Sequence, residues 1–238
     1  MLKNIAISTL VILSTIGCTN KSLIANADNV IKSSTNVNAL STKTSVDILI
    51  SKDIYNNSVL PFVSHIGEGA FDSTLAMNIQ YQAILNAKTQ VEKILNKKLD
   101  FFKAWSTTGE AHVTTVTPVE YYEVLRKYLS MKDIDEIAKK NNIQKSDVKV
   151  LGIGSGKLEI DGKLEETYFV ILKSQNLLKI RREIQKEFVK KGGNAKDFDA
   201  ELFLPHITIA YTKRDLHITD GVYKDIRSFD SRFNLIVK

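Results

Sequence analysis

Two short stretches of this sequence share one pattern. They read Glu110-Ala111-His112-Val113-Thr114-Thr115-Val116-Thr117-Pro118 and Leu204-Pro205-His206-Ile207-Thr208-Ile209-Ala210-Tyr211-Thr212. β-Branched residues dominate both, so we predict a strand in each, at 111–116 and at 206–211. Because side chains alternate across a strand, the His and the Thr two positions later share one face, and the apolar residue between them faces the core.

If the two strands lie near each other in one sheet, two imidazoles and two hydroxyls converge on one small site. Such a set fits a phosphoryl group, since hydroxyls donate to its oxygens and an imidazole exchanges protons near neutral pH. We predict His112 and His206 as the acid–base pair and Thr114 and Thr208 as the phosphate-holding hydroxyls. The residues do not decide which His is the base. The two histidines and two hydroxyls lack the carboxylates that a hard-metal phosphatase would use, so we predict no metal and no cofactor.

One His-x-Thr triplet is weak evidence, because a core histidine beside a threonine is common in strands. Two triplets, 94 residues apart (206 − 112), on two predicted strands make a catalytic interpretation much stronger. Tyr211 ends the second strand just past its triplet. Its ring could stack on a base, or could simply pack, and we include it as a candidate substrate-binding residue.

The paired motifs resemble the signature of the two-histidine (2H) phosphoesterase superfamily, and the residues around them are similar to its Swiss army knife branch, related to RNA repair and RNA 2′,3′-cyclic phosphodiesterases. The resemblance covers about residues 45–238. It implies a bilobal α+β fold with pseudo-twofold symmetry, in which two antiparallel sheets line a central groove and the helices lie outside. It also implies hydrolysis of a cyclic phosphate or of a nucleotide or RNA phosphodiester. The rival hypothesis is a non-catalytic surface lipoprotein that binds nucleotides or a protein partner with the same fold.

The amino terminus predicts export. Lys3 is followed by an apolar run too short to span a bilayer comfortably, as in a signal peptide. The segment Thr15-Ile16-Gly17-Cys18 resembles a bacterial lipoprotein box, with Thr15 where an aliphatic residue is usual. That resemblance implies cleavage before Cys18 and lipidation of its sulfur. We therefore predict a signal peptide at 1–17, a lipidated cysteine with a flexible tether at 18–44, and a lipid-anchored monomer at the cell envelope.

Two alternatives to the lipid anchor stay open. Ala25-Asn26-Ala27 is a small-x-small site, so ordinary secretion after cleavage before Asp28 is possible. The other alternative is that the amino-terminal apolar segment is not cleaved and anchors the protein in the membrane.

Composition narrows the classes of protein further. Of 238 residues, 43% are hydrophobic, which is ample for a packed core and rules out wholesale disorder. A single cysteine excludes an internal disulfide scaffold. The net charge of +6 favours anionic ligands but is too small to indicate nucleic-acid binding by itself.

The order of predicted elements is a mixture of helices and strands with hairpins, which indicates an α+β domain. We predict a first strand at 46–50, strands at 99–105, 148–153, 157–160, 167–172 and 232–237, and helices at about 72–98, 118–129, 133–140 and 175–191. Asp161-Gly162 predicts a tight hairpin turn. The glycines at 152, 154 and 156 precede a β-like segment, so we interpret them as a bulge or a tight strand connection rather than a phosphate loop.

Overall fold

The structure is a computed structural model that describes residues 45–101 and 110–238. The predicted signal peptide, Cys18 and the tether lie outside the described residues, and so does the greater part of the strand predicted at 99–105. Among the described residues, no helix is both long and apolar enough to cross a membrane.

In the described part of the chain, seven strands form three small sheets: β1 (Val46–Ile50), β2 (Leu75–Ile79), β3 (Ala111–Val116), β4 (Lys149–Ile160), β5 (Lys163–Lys173), β6 (His206–Tyr211) and β7 (Phe233–Val237). β2 and β3 form an antiparallel pair, and β4, β5 and β6 form an antiparallel sheet in that order. β1 and β7 pair in parallel, which joins the two ends of the described chain. A mixed α+β class with small antiparallel sheets is thus confirmed, and the parallel pair is an addition to the prediction.

The α-helices of residues 45–101 and 110–238 that pack on these sheets are α1 (Tyr81–Leu95), α2 (Met131–Lys140) and α3 (Gln175–Lys190). Each buries one apolar stripe, as helical spacing requires. In α1 the buried residues are Ala83, Ile84, Ala87 and Val91. Ser130 and Asp133 form a capping box at the start of α2, and the hydroxyl of Ser174 caps α3.

The helix predicted at 72–98 is wrong over its first part. Leu75–Ile79 forms β2 instead, because this apolar segment pairs with the first motif strand, and tertiary pairing outweighs a helical pattern. The helix predicted at 118–129 is a π-helical turn at Glu120–Val124 followed by a 3-10 turn at Leu125–Lys127. The two strands predicted at 148–153 and 157–160 are one strand, β4.

The predicted hairpin turn is confirmed. Asp161 and Gly162 connect β4 to β5 with φ angles of 52° and 70°. A two-residue turn with both φ angles positive matches the twist of the flanking strands. β5 is buried on both faces from Glu165 to Leu172, because helices cover one side and a later segment of the chain covers the other.

Candidate active site

The first motif strand alternates as its sequence predicts. Val113 is fully buried on one face of β3, whereas His112 and Thr114 are half-buried on the other. The His112 side chain is 18% exposed, and its Nδ1 lies 2.8 Å from a carboxylate oxygen of Glu110. The Thr114 hydroxyl has no hydrogen bond to another residue of the described chain.

The second motif strand repeats this arrangement with a different partner. Ile207 is fully buried, whereas His206 and Thr208 are half-buried on the opposite face of β6. The Nδ1 of His206 lies 2.8 Å from the carbonyl oxygen of Leu204. The edge of its ring meets Phe169 with a centroid distance of 5.9 Å. The two motifs thus share one local geometry, an imidazole held by an acceptor two positions earlier.

These contacts assign the ring protons. A carboxylate and a backbone carbonyl can only accept, so Nδ1 carries a hydrogen in His112 and in His206. Nε2 is then the ring nitrogen that can accept a proton in each neutral imidazole. An imidazole whose tautomer and orientation are held in this way is suited to general acid or general base catalysis.

β3 and β6 lie side by side, with several pairs of their Cα atoms within 8 Å, although no ladder of hydrogen bonds joins them. A buried arginine on α3 connects the two regions. Arg181, 2% exposed, donates from Nη1 to the carbonyl oxygen of Thr115 at 2.8 Å. The same guanidinium donates to the carbonyl oxygens of Asp199, Ala200 and Leu202, which precede the second motif. It also pairs with Glu120 at 2.8 Å. Arg181 therefore links the first motif strand to the segment that precedes the second motif strand.

Arg181 corrects our interpretation of the basic residues of α3. From residue type alone, the basic residues of this helix are expected to form a solvated face: Lys179, Arg181, Arg182, Lys186 and Lys190. Arg181 is instead buried, with its guanidinium 4.7 Å from the centroid of the Phe198 ring and 5.2 Å from that of the Phe203 ring. Helical spacing places Arg181 on the buried face of α3, in line with its apolar residues. An expectation based only on the charge of the side chain misses this.

Thr208 belongs to a buried polar cluster. Its hydroxyl donates to Oδ2 of Asp215 at 2.9 Å, and the hydroxyl of Thr167 donates to Oδ1 at 2.5 Å. The Nζ of Lys224 lies 2.5 Å from Oδ2 of Asp215 and 3.4 Å from Oγ1 of Thr208. The side chain of Lys224 is only 3% exposed, and that of Asp215 is 12% exposed. In the absence of a ligand the hydroxyl hydrogen of Thr208 is therefore directed to Asp215, and this hydroxyl has to turn away from the carboxylate to donate to a phosphate.

The pKa values around this cluster follow from burial and from the two opposite charges. Burial alone acts to raise the pKa of Asp215, but Lys224, with smaller contributions from His217 and His206, holds it far below its usual range. Burial, and then the charge of Lys224, lower the pKa of His206 well below its usual value, against the opposing effect of Asp215. His206 is therefore neutral near pH 7.

A third imidazole lies beside the first motif. His65, on the segment that pairs with Thr74, is 2% exposed and lies 6.0 Å from His112 between ring centroids. Burial, and then the neighbouring His112, lower its pKa to about 4. The segment around His65 has no regular pattern, so the sequence gives no signal for this contact.

Tyr211 sits at the carboxyl end of β6, half-buried, opposite Thr167 of β5. Its backbone exchanges hydrogen bonds of 2.7 and 3.1 Å with Asp100. Because paired residues in an antiparallel sheet present their side chains to one face, Tyr211 shares the face of Thr167, whose hydroxyl joins the Asp215 cluster. Burial, and then Asp215 and Asp100, raise the pKa of its hydroxyl. Tyr168, by contrast, is fully buried in the core.

The glycines of β4 allow the cluster to form. Gly154 and Gly156 lie opposite Phe169 and Thr167 on the same face of the sheet. A Cβ on Gly154 would stand 2.4 Å from the Phe169 ring, and one on Gly156 would stand 2.4 Å from Val222. The strand register also shifts between Val150 and Gly152, which is the predicted bulge. The glycines thus admit the segment that carries Lys224.

Sequence analysis missed two charged members of this site. They are Asp215 and Lys224. Both residues lie in the polar segment after β6. This segment has no regular period, so the sequence does not mark them. Within residues 45–101 and 110–238, no three His, Cys, Asp or Glu side chains are placed to hold a metal ion.

A family model described as Swiss Army Knife, 2H phosphoesterase domain, matches residues 73–217, which is most of the described chain and includes both motifs. The chain therefore belongs to the Swiss Army Knife family of 2H phosphoesterases. This membership supports a phosphoric diester hydrolase in general. No curated protein and no solved structure matches the chain.

Proposed function

We propose that this protein hydrolyses a cyclic phosphate, or another phosphodiester of a nucleotide or of RNA, without a metal ion. His112 and His206 are the acid–base pair in this proposal, Thr114 and Thr208 hold the phosphate, and Tyr211 lies against the base. The supporting observation is the repeated geometry of two neighbouring strands. In each, an imidazole is held at Nδ1 by an acceptor two positions earlier, and a hydroxyl follows two positions later.

The unequal partners of the two imidazoles favour one division of labour. His206 is neutral, held by a carbonyl, and is suited to accept a proton. His112 is held by Glu110, whose negative charge balances an imidazolium, and is suited to donate one. In this mechanism a water oxygen attacks phosphorus while its proton passes to Nε2 of His206. The bond from phosphorus to the leaving oxygen breaks, and that oxygen takes the proton of His112.

Turnover of a 2′,3′-cyclic nucleotide by the purified full chain, in buffer containing EDTA, tests the reaction. We expect hydrolysis that EDTA leaves unchanged. Replacing either His112 or His206 by Ala should lower the rate by about 10²- to 10⁴-fold, the usual share of an acid–base group. Lys179→Ala, an exposed change on α3, is the matched control and should retain full rate. Full activity in either histidine variant would contradict the mechanism.

The same experiment addresses the non-catalytic alternative. A panel of cyclic nucleotides, cyclic-ended RNA and linear dinucleotides should include at least one that is turned over. Binding of several members without turnover of any would favour the rival hypothesis, a surface lipoprotein that binds nucleotides or a protein partner.

We also propose that the domain is exported and held at a bacterial membrane through a lipid on Cys18. Mass spectrometry of the mature amino terminus tests this directly. We expect a chain that starts at Cys18 with a diacylglyceryl group, and a Cys18→Ser variant that is released from the membrane fraction. A mature chain that starts at Asp28 would support plain secretion instead. Sedimentation of the released domain should give the mass of a monomer.

A further inference from the structure

A buried ion pair stands behind the second motif, in a part of the chain that the family model covers only in part. Asp215 lies within the matched residues 73–217, and Lys224 lies beyond them. Both are nearly inaccessible to solvent, and their charged atoms are 2.5 Å apart. Ion pairs so deeply buried rarely stabilise a protein more than apolar side chains of the same volume would. Their cost points to a role other than stability.

The pair contacts Thr208 of the second motif and lies near His206. Asp215 accepts the hydroxyl hydrogen of Thr208, and Lys224 lies near the oxygen of the same hydroxyl. The Nζ of Lys224 lies 5.6 Å from the centroid of the Phe169 ring, and the centroid of the His206 ring lies 5.9 Å from the same ring. The charges that act on the His206 imidazole are those of Lys224, Asp215 and His217, and the carbonyl of Leu204 accepts from it. Lys224 and Asp215 act on the imidazole with opposite signs.

We propose that the Lys224–Asp215 pair is a positioning element of the active site, which orients the hydroxyl of Thr208 and keeps the imidazole of His206 uncharged so that it serves as the base. This inference rests on the proposed function for its catalytic meaning. The effect of the ion pair on the protonation of His206, however, can be measured in the protein without substrate. Lys224 acts here through its neighbours and is not assigned a contact with the phosphate.

The two charges make opposite predictions, which a merely structural role would not. Removing only Lys224 leaves the negative Asp215 beside His206 and favours its protonated form. Removing only Asp215 leaves a buried positive charge and disfavours that form further. Removing both should give an intermediate value. A general loss of packing would shift all variants in one direction.

NMR titration of histidine ring nitrogens in the full chain measures these effects without any substrate. In the wild-type protein we expect the Nδ1–H tautomer of His206 and no protonation near neutral pH. Lys224→Met should raise the pKa of His206 by about 1 or more, the order expected for one charge in a partly buried site. Asp215→Asn should lower it, and the double variant should fall between the two.

Lys224→Arg retains the charge and is the conservative control. If the variant folds, its His206 should titrate close to the wild-type value. Equal pKa values for His206 in the wild type and Lys224→Met, or changes of the same sign in Lys224→Met and Asp215→Asn, would overturn the inference.

Kinetics separates this inference from the proposed function. If the wild type hydrolyses the diester, the acidic limb of its pH–rate profile should move to higher pH in Lys224→Met, in step with the NMR value. If no diester is hydrolysed, the proposed function fails while the titration result still stands or falls by itself. Hydrolysis with an unmoved acidic limb contradicts the positioning role alone.

Discussion

Glu110 and His112 lie two positions apart and join through a 2.8 Å contact between a carboxylate oxygen and Nδ1. In the second motif the corresponding acceptor is the carbonyl of Leu204. A side-chain carboxylate can be changed without altering the backbone, whereas a carbonyl cannot. The first half of the site is therefore the one in which the imidazole partner can be tested by substitution.

We expect Glu110→Gln to lower kcat by roughly 10- to 100-fold, a part of the 10²- to 10⁴-fold share of an acid–base group, because the charge that balances an imidazolium is removed. An amide oxygen can still accept from Nδ1, so the ring position should survive while the charge balance is lost. Steady-state kinetics on the diester measures the effect. A kcat equal to that of the wild type would show that the charge of Glu110 has no part in the reaction.

The two motif threonines should respond differently to replacement by Val. Thr208→Val removes the hydrogen bond to buried Asp215 and should cost about 1–3 kcal/mol of unfolding free energy, because it leaves an acceptor unsatisfied. Thr114→Val removes no hydrogen bond to a described residue and should leave the stability nearly unchanged. Urea unfolding compares the two. Equal losses of stability would contradict the difference between the hydroxyls.

Arg181 and Arg182 form a matched pair on α3. Arg181→Met leaves Glu120 and several buried carbonyls without their donor, so we expect a loss of about 3–5 kcal/mol in unfolding free energy. Arg182→Met breaks an exposed pair with Glu201, 54% and 55% exposed, and should change stability little. Denaturant unfolding of both variants measures the contrast. A small effect at Arg181 would mean that its contacts do not hold the motif strands.

His65 should make stability depend on pH. Its pKa is about 4 in the folded protein, lowered mainly by burial, against about 6.5 in an unfolded chain. Between these values the unfolded chain binds a proton that the folded protein excludes, so stability is present above pH 6.5 and falls as the pH is lowered toward 4. The loss from this residue is up to about 3 kcal/mol.

His65→Gln, neutral at every pH, tests this relation. Unfolding by urea at pH 7.5, 6 and 5 should show a shallower decline in the variant than in the wild type. His206 acts in the same direction, so part of the decline should persist. Parallel curves for the two proteins would refute the assignment.

Much of the fold could be predicted from local pattern. The motif strands, the hairpin at Asp161-Gly162 and helix α3 all follow from periodicity or turn chemistry, which depend on neighbouring residues. β2 could not, because Leu75–Ile79 reads equally well as the start of a helix. Only its pairing with β3 makes it a strand.

The sequence by itself determined the chemistry of the candidate site. Alternation along a strand places His112 with Thr114, and His206 with Thr208, whatever the rest of the chain does. Tertiary structure alone decided what surrounds them. Asp215 and Lys224 reach Thr208 from an irregular segment that crosses the glycines of β4, and Arg181 joins two distant parts of the chain. Such contacts depend on how the chain packs across space, and no local period encodes them.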